Sequence, residues 1–153
     1  MSSYENLFYH NLRLITKLRP GHVFVFGSNS RGVHGSGSAK TAHRYFGARY
    51  GQAFGLQGNS YGIPTRTYLD RKTNNSMFED IPLKQIQSTV QLFFKDVSLN
   101  PHLTFVLTRI GCGFAGYDDS QIAPLFSNPL NNMIVPKLWL NYIDHTDAIF
   151  VSI

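Results

Sequence analysis

Apolar positions along this chain change period several times, and each change marks an element. Leu7, Phe8, Leu12, Ile15 and Leu18 fall close to helical spacing and predict an amphipathic helix over 4–19, ended by Pro20-Gly21. Residues 22–26, rich in Val and Phe, read as a short buried strand. Ala39, Ala42, Tyr45 and Phe46 return to helical spacing within 36–50. A glycine-bearing stretch, 52–59, then leads into a second strand, 60–63, stopped by Pro64. Asp70, Arg71, Lys72, Asn74 and Asn75 make 68–80 a polar loop with the character of a flap. Pro82 opens a helix carrying the stripe Ile86, Val90, Phe93, Phe94 and Val97 down to about Ser98. Strands follow at 103–107 and 133–135, and Asp118-Asp119-Ser120 caps a helix through Ile122 to Phe126.

Strands alternating with helices predict an α/β domain, helices packed on a largely parallel or mixed sheet. At 153 residues, 42% of them hydrophobic, the chain makes one domain with a packed core. We expect the domain proper at 20–136, a helical extension at 1–19 and a second extension at 137–153.

Two of the predicted strands end in glycine-rich loops. The first runs Phe26-Gly27-Ser28-Asn29-Ser30-Arg31-Gly32-Val33-His34-Gly35-Ser36-Gly37 and opens into a helix; the second runs Ile110-Gly111-Cys112-Gly113-Phe114-Ala115-Gly116-Tyr117. A strand that ends in glycines before a helix brings backbone N–H groups close to a ligand, and the helix dipole adds attraction for an anion. Two such loops suit a molecule with more than one phosphate, which makes a nucleotide the leading ligand class.

Charge sharpens this picture only slightly. The net charge of +5 and pI of about 9.5 favour anionic partners, yet no basic run exceeds the pair Arg71-Lys72. Nucleic acid is therefore not the favoured partner. Cys112 is the only cysteine, and the six histidines match no ligand spacing, so neither a disulfide framework nor a metal is expected, nor any cofactor. No apolar run reaches the roughly 20 residues of a membrane span, and the start lacks a secretory pattern. A cytoplasmic setting with no membrane partner is the expectation.

The loops also carry a resemblance. GSNSRGVHGSGSAKTAHRYFG resembles the first ligand loop of macro domains, and TRIGCGFAGYDDSQIAPLF resembles their second. The second is closest to the branch of the terminal ADP-ribose protein glycohydrolase and the antitoxin that removes ADP-ribose from DNA. The I-G-C-G-L signature of that branch stands here as Ile110-Gly111-Cys112-Gly113-Phe114. With YGQAFGLQGNSYGIPT between the loops, residues 20–136 resemble a small macro-like family common in bacteriophage genomes. The resemblance implies a three-layer α/β/α sandwich that binds ADP-ribose or a related nucleotide at the strand ends. It assigns the ribose and diphosphate to Asn29, Gly35, Ser36 and Gly37 of the first loop, and the diphosphate to Gly111, Cys112, Gly113, Phe114 and Ala115 of the second. A phage origin would put the protein in the host cytoplasm.

The chain departs from the glycohydrolase pattern at two positions. The nucleophilic lysine of that branch falls on Arg66, which stays protonated and binds phosphate instead. The acid expected after the glycine-cysteine-glycine signature is Ala115. Chemistry through an activated water remains open, and Asn29 and His34 are the candidate catalytic groups for it. Each has a plainer reading, Asn29 as a turn former and His34 as an exposed loop residue. Cys112 reads as a small buried residue or a nucleophile. Arg31 and Lys40 read as phosphate partners or solvated charges, and Arg109 faces the ligand or braces the loops. Phe114 or Tyr117 can cover a ribose or base. A binder of ADP-ribose-like nucleotides, in the role of a phage-type sink for signal nucleotides, is the first expectation. A hydrolase that removes ADP-ribose from protein, nucleic acid or a phosphorylated small molecule is the second, and a nucleic-acid-associated or structural protein the third.

Overall fold

The computed structural model describes residues 9–10, 17–113 and 115–144. In chain order the elements are β1 (Tyr9–His10), β2 (His22–Asn29), α1 (Gly37–Tyr45), β3 (Gly55–Gln57), β4 (Ser60–Thr73), β5 (Ser76–Asp80), α2 (Leu83–Leu99), β6 (Thr104–Leu107), α3 (Asp119–Ile122) and β7 (Met133–Pro136). The chain is an α/β protein with one mixed, mostly parallel sheet. Its order is β1-β7-β6-β2-β4-β3, parallel from β1 to β4, with β3 and β5 antiparallel to β4.

Alternation along β2 divides the core. Val23 and Val25 point into the larger cluster, where α2 contributes Ile86, Val90, Phe93 and Val97. Phe24 and Phe26 point into a smaller one with Ala39, Ala42 and Phe46 from α1 and its C-terminal end. A strand buried on both faces reads as a continuous apolar run, which is why 22–26 is legible as one. Tyr61, Phe93 and Phe105 meet edge to face, with centroids 5.0 to 6.1 Å apart. Tyr61 also donates its hydroxyl to Asp96 on α2, so its polar end is satisfied inside the core.

Chain direction sets the position of the site. From β2 the chain passes through α1 to β4 on one side, whereas from β6 it passes through α3 to β7 on the other. The connections therefore diverge between two adjacent parallel strands, β2 and β6. A crevice outside their carboxyl ends is the expected ligand position in such sheets.

Four expectations need correction or extension. Tyr9–His10 is a strand paired with Val135–Pro136 at the sheet edge, not helix; pairing overrides the helical spacing there, and the rest of 4–16 lies outside the described residues. β4 does not stop at Pro64. β3 pairs with residues 60–62 and β5 resumes pairing at Arg66, so Pro64 stands where β4 has neither partner and its missing N–H breaks no ladder on that side. The flap at 68–80 is a hairpin. Asn74 and Asn75, with φ of 52° and 63°, turn it between the paired Thr73 and Ser76 in the manner of a type I′ turn. Residues 137–143 are not an appendage, since Trp139 and Ile143 lie in the larger core; most of the remaining extension, 145–153, lies outside the described residues.

Candidate functional site

Both glycine loops open onto one cleft of about 480 Å³, at the carboxyl ends of β2 and β6 and beside β4. Gly27, at the end of β2, sits where the loops nearly touch. A Cβ there would lie 3.4 Å from Thr65 Oγ1 and 3.6 Å from the Gly111 amide nitrogen. Gly111 itself holds φ +80°, and a Cβ on it would stand 3.0 Å from Ile122. Gly111 thus serves the fold as well as lining the cleft, whereas a Cβ on Gly27 would make only ordinary contacts. All four of these glycines, Gly35 and Gly113 included, line the cleft, but neither Gly35 nor Gly113 holds left-handed φ, and a Cβ on either would meet nothing within 4 Å.

The first loop is organised by Asn29, which is buried at the end of β2. Its Oδ1 accepts from the Arg31 and Val33 amides at 3.2 and 3.1 Å, and its Nδ2 donates to the Val33 carbonyl at 2.7 Å. This is the turn-forming role, and it uses most of the amide's bonding capacity. The loop then reaches α1, whose N-cap Ser36 makes no side-chain capping bond. Gly37, Ser38 and Ala39 of the first turn line the cleft. Ser30 ties the loop to β4: its N–H donates to the Arg66 carbonyl at 2.9 Å, and its Oγ accepts from the Tyr68 N–H at 2.8 Å.

His34 is not in the cleft. It is buried against Phe26 and Tyr50, on the α1 side of the sheet. Its Nε2–H donates to the Arg49 carbonyl at 2.7 Å, which leaves Nδ1 as a buried lone pair without a partner. Burial, with a smaller push from His43, holds its pKa below the ordinary histidine value. The expectation of a catalytic His34 is corrected accordingly, and so is that of an exposed one. A neutral imidazole with a T-shaped contact to Phe26 is a core residue.

The second loop is braced from outside the cleft. Arg109 donates Nε–H and Nη2–H to the two oxygens of Asp119 at 2.9 and 2.5 Å, and Trp139 Nε1–H donates to Asp119 at 2.8 Å. Arg109 thus braces the loop while also lining the cleft. Its guanidinium holds the Asp119 carboxyl below the usual range. Tyr117 donates its hydroxyl to the Ile81 carbonyl at 2.6 Å and does not line the cleft. Asp118 is the N-cap of α3, its N–H donating to Gln121 Oε1 at 2.9 Å. Asp80 accepts from the Gly116 N–H at 3.2 Å and fastens the loop to β5.

Cys112 lines the cleft half-buried, but burial and then the nearby Asp119 push its thiol up to about 12. A protonated thiol is a poor nucleophile. Arg66 lines the cleft with its guanidinium over the Phe78 ring, 3.8 Å from the centroid. Ala115 is buried and lines it too, while Phe114 lies outside the described residues. Lys40 is exposed and stands apart from the cleft, and Arg31 pairs with Asp70 on the hairpin. The sequence reading missed Thr65, Tyr68, Phe78 and Thr108, which also line the cleft. For Tyr68 and Phe78 the signal lay in the alternation Arg66, Tyr68 and Ser76, Phe78, Asp80 on either side of an Asn-Asn turn.

Among the described residues, no carboxylate, imidazole or lysine amine lines the cleft, and its charged groups are the two guanidiniums of Arg66 and Arg109. Nor does any group of three His, Cys, Asp or Glu among them gather as for a metal. No helix among them is long and apolar enough to cross a membrane. In comparisons with family models, curated proteins and solved structures, none matches this chain.

Proposed function

We propose that the cleft binds ADP-ribose or a related diphosphate-containing nucleotide, in a macro-like three-layer fold of the phage-type family that the loops resemble. The observation that carries this reading is convergence. Two glycine loops, the uncapped first turn of α1 and two arginines meet around one cleft with no carboxylate among its described lining. Backbone donors and guanidiniums bind a diphosphate, and a volume of about 480 Å³ suits a small organic ligand. Helices on both faces of a mostly parallel sheet agree with the sandwich that the resemblance implies.

Binding is favoured over turnover by the same lining. Hydrolysis of a ribosyl bond calls for a nucleophile or a general acid–base group near the reacting carbon. Cys112 is held protonated, His34 faces the core, and the Asn29 amide braces its own loop. A reader or a sink for signal nucleotides, acting in a host cytoplasm, needs the loops alone.

Calorimetric titration with ADP-ribose, followed by mass analysis of the recovered ligand, tests the reading. Heat of binding with intact ligand is the expected result. Altered ligand would assign a hydrolase instead, and no heat at several temperatures would remove ADP-ribose as the ligand.

A further inference from the structure

One wall of the cleft is aromatic. On the β4–β5 hairpin, Tyr68 and Phe78 stand directly opposite one another, with centroids 5.0 Å apart and rings at 72°. A guanidinium lies over each. Arg31 Cζ is 4.9 Å from the Tyr68 centroid, and Arg66 Cζ is 3.8 Å from that of Phe78. The result is a cation–aromatic series in the order Arg31, Tyr68, Phe78, Arg66. Tyr68, Phe78 and Arg66 line the cleft; Arg31 does not, and is held by Asp70 on the hairpin.

An aromatic cross-strand pair stabilises a hairpin wherever it points, and a two-stranded projection benefits from one. That role does not require the rings to be half-buried in a cleft wall. The loop side of the cleft is built of glycines, small side chains and backbone donors, which suit phosphate and offer little surface to a planar ring. Among the described lining residues, Tyr68 and Phe78 are the aromatic ones. An aromatic ring, or a guanidinium plane laid over one as Arg66 is over Phe78, is a surface on which a nucleobase stacks, and such stacking is tolerant of base identity.

Resting on the nucleotide reading above, we propose that the Tyr68–Phe78 wall is a stacking subsite for the ligand's base, with Arg66 between that base and its phosphates. The hairpin is then the element that distinguishes a nucleotide from a bare sugar phosphate.

The test is calorimetry with ADP-ribose on the wild type and on Tyr68→Leu, Tyr68→Phe, Tyr68→Trp and Phe78→Leu, with the Tm of each variant recorded. Stacking makes affinity follow aromatic surface: the Phe and Trp variants bind like wild type or better, and each Leu variant binds roughly tenfold or more weakly, whatever its Tm. Affinity that instead tracks Tm across the series, or Leu variants that bind like wild type, would overturn the subsite and leave the nucleotide reading intact. A wild type that binds no ADP-ribose would overturn both.

Discussion

Arg109 and Asp119 form a two-point ion pair that joins the second glycine loop to the start of α3, and Trp139 donates to the same carboxylate from beyond β7. Three segments distant in sequence are thereby tied at one oxygen pair. Replacing Arg109 with Met leaves a mostly buried carboxylate with two donated hydrogen bonds fewer. The expected loss is about 1–2 kcal/mol, moderated by the exposure of the guanidinium, and chemical denaturation measures it. The Asp119 pKa is lowered in the fold, so the unfolded chain binds that proton more readily and stability rises with pH. This contribution is full above the ordinary carboxylate value of about 3.9, lost as pH falls through the folded value, and smaller in the variant, where Trp139 still donates to the carboxylate.

Trp139 tests whether 137–143 belongs to the domain. Its ring is fully buried and stacks on Phe126 with centroids 5.2 Å apart. Trp139→Ala should cost about 3–5 kcal/mol. Trp139→Phe retains most of the buried ring but removes the donor to Asp119, at about 1 kcal/mol. A Trp139→Ala protein as stable as wild type would return these residues to the status of an extension.

The glycines divide into two classes by experiment. Gly111→Ala forces a side chain into left-handed φ and against Ile122, and should destabilise by about 1–3 kcal/mol. Gly35→Ala and Gly113→Ala meet open space and should stay within about 0.5 kcal/mol of wild type. If the cleft takes ADP-ribose as proposed, those same two should weaken it about tenfold or more, because both positions line the cleft. Undiminished affinity in both would count against close backbone approach at these positions.

His34 predicts a pH dependence of stability. Its pKa, like that of His22, is lowered in the fold chiefly by burial. Each binds its proton more readily unfolded, so their contribution is full above about pH 6.5 and is lost as pH falls through the folded values. The Tm of the wild type should therefore drop between pH 7 and pH 5 by more than that of His34→Gln. Parallel curves for the two proteins would reject the assignment.

The Cys112 thiol, pushed up to about 12, should react slowly with iodoacetamide at pH 8 in the native protein and quickly once unfolded. Equal rates in the two states would show that the thiol is neither buried nor protonated as described.

Legibility from sequence followed how much of an element's pattern is local. β2 and α2 carry unbroken apolar signals, and both formed within a few residues of expectation. The N-terminal helical spacing failed at Tyr9–His10 because an open sheet edge beside β7 is invisible to periodicity. The hairpin was missed because charges on its exposed tip, residues 70–75, outweigh the weaker alternation of Arg66, Tyr68, Phe78 and Asp80. At the site, the loops and Arg66 were readable as motifs. That His34 turns to the core and Arg109 to Asp119 depends on contacts 10 to 16 residues away, which no motif encodes.

Ser30, with one bond to the Arg66 carbonyl and one from the Tyr68 amide, joins the first loop to the hairpin, and the pairing of Arg31 with Asp70 repeats the join. Swinging the hairpin away breaks these links together, so the two walls should open as one cooperative unit. Hydrogen exchange would then give the Ser30 and Tyr68 amides a common opening free energy. A ligand that touches only the loop would slow exchange on the hairpin as well.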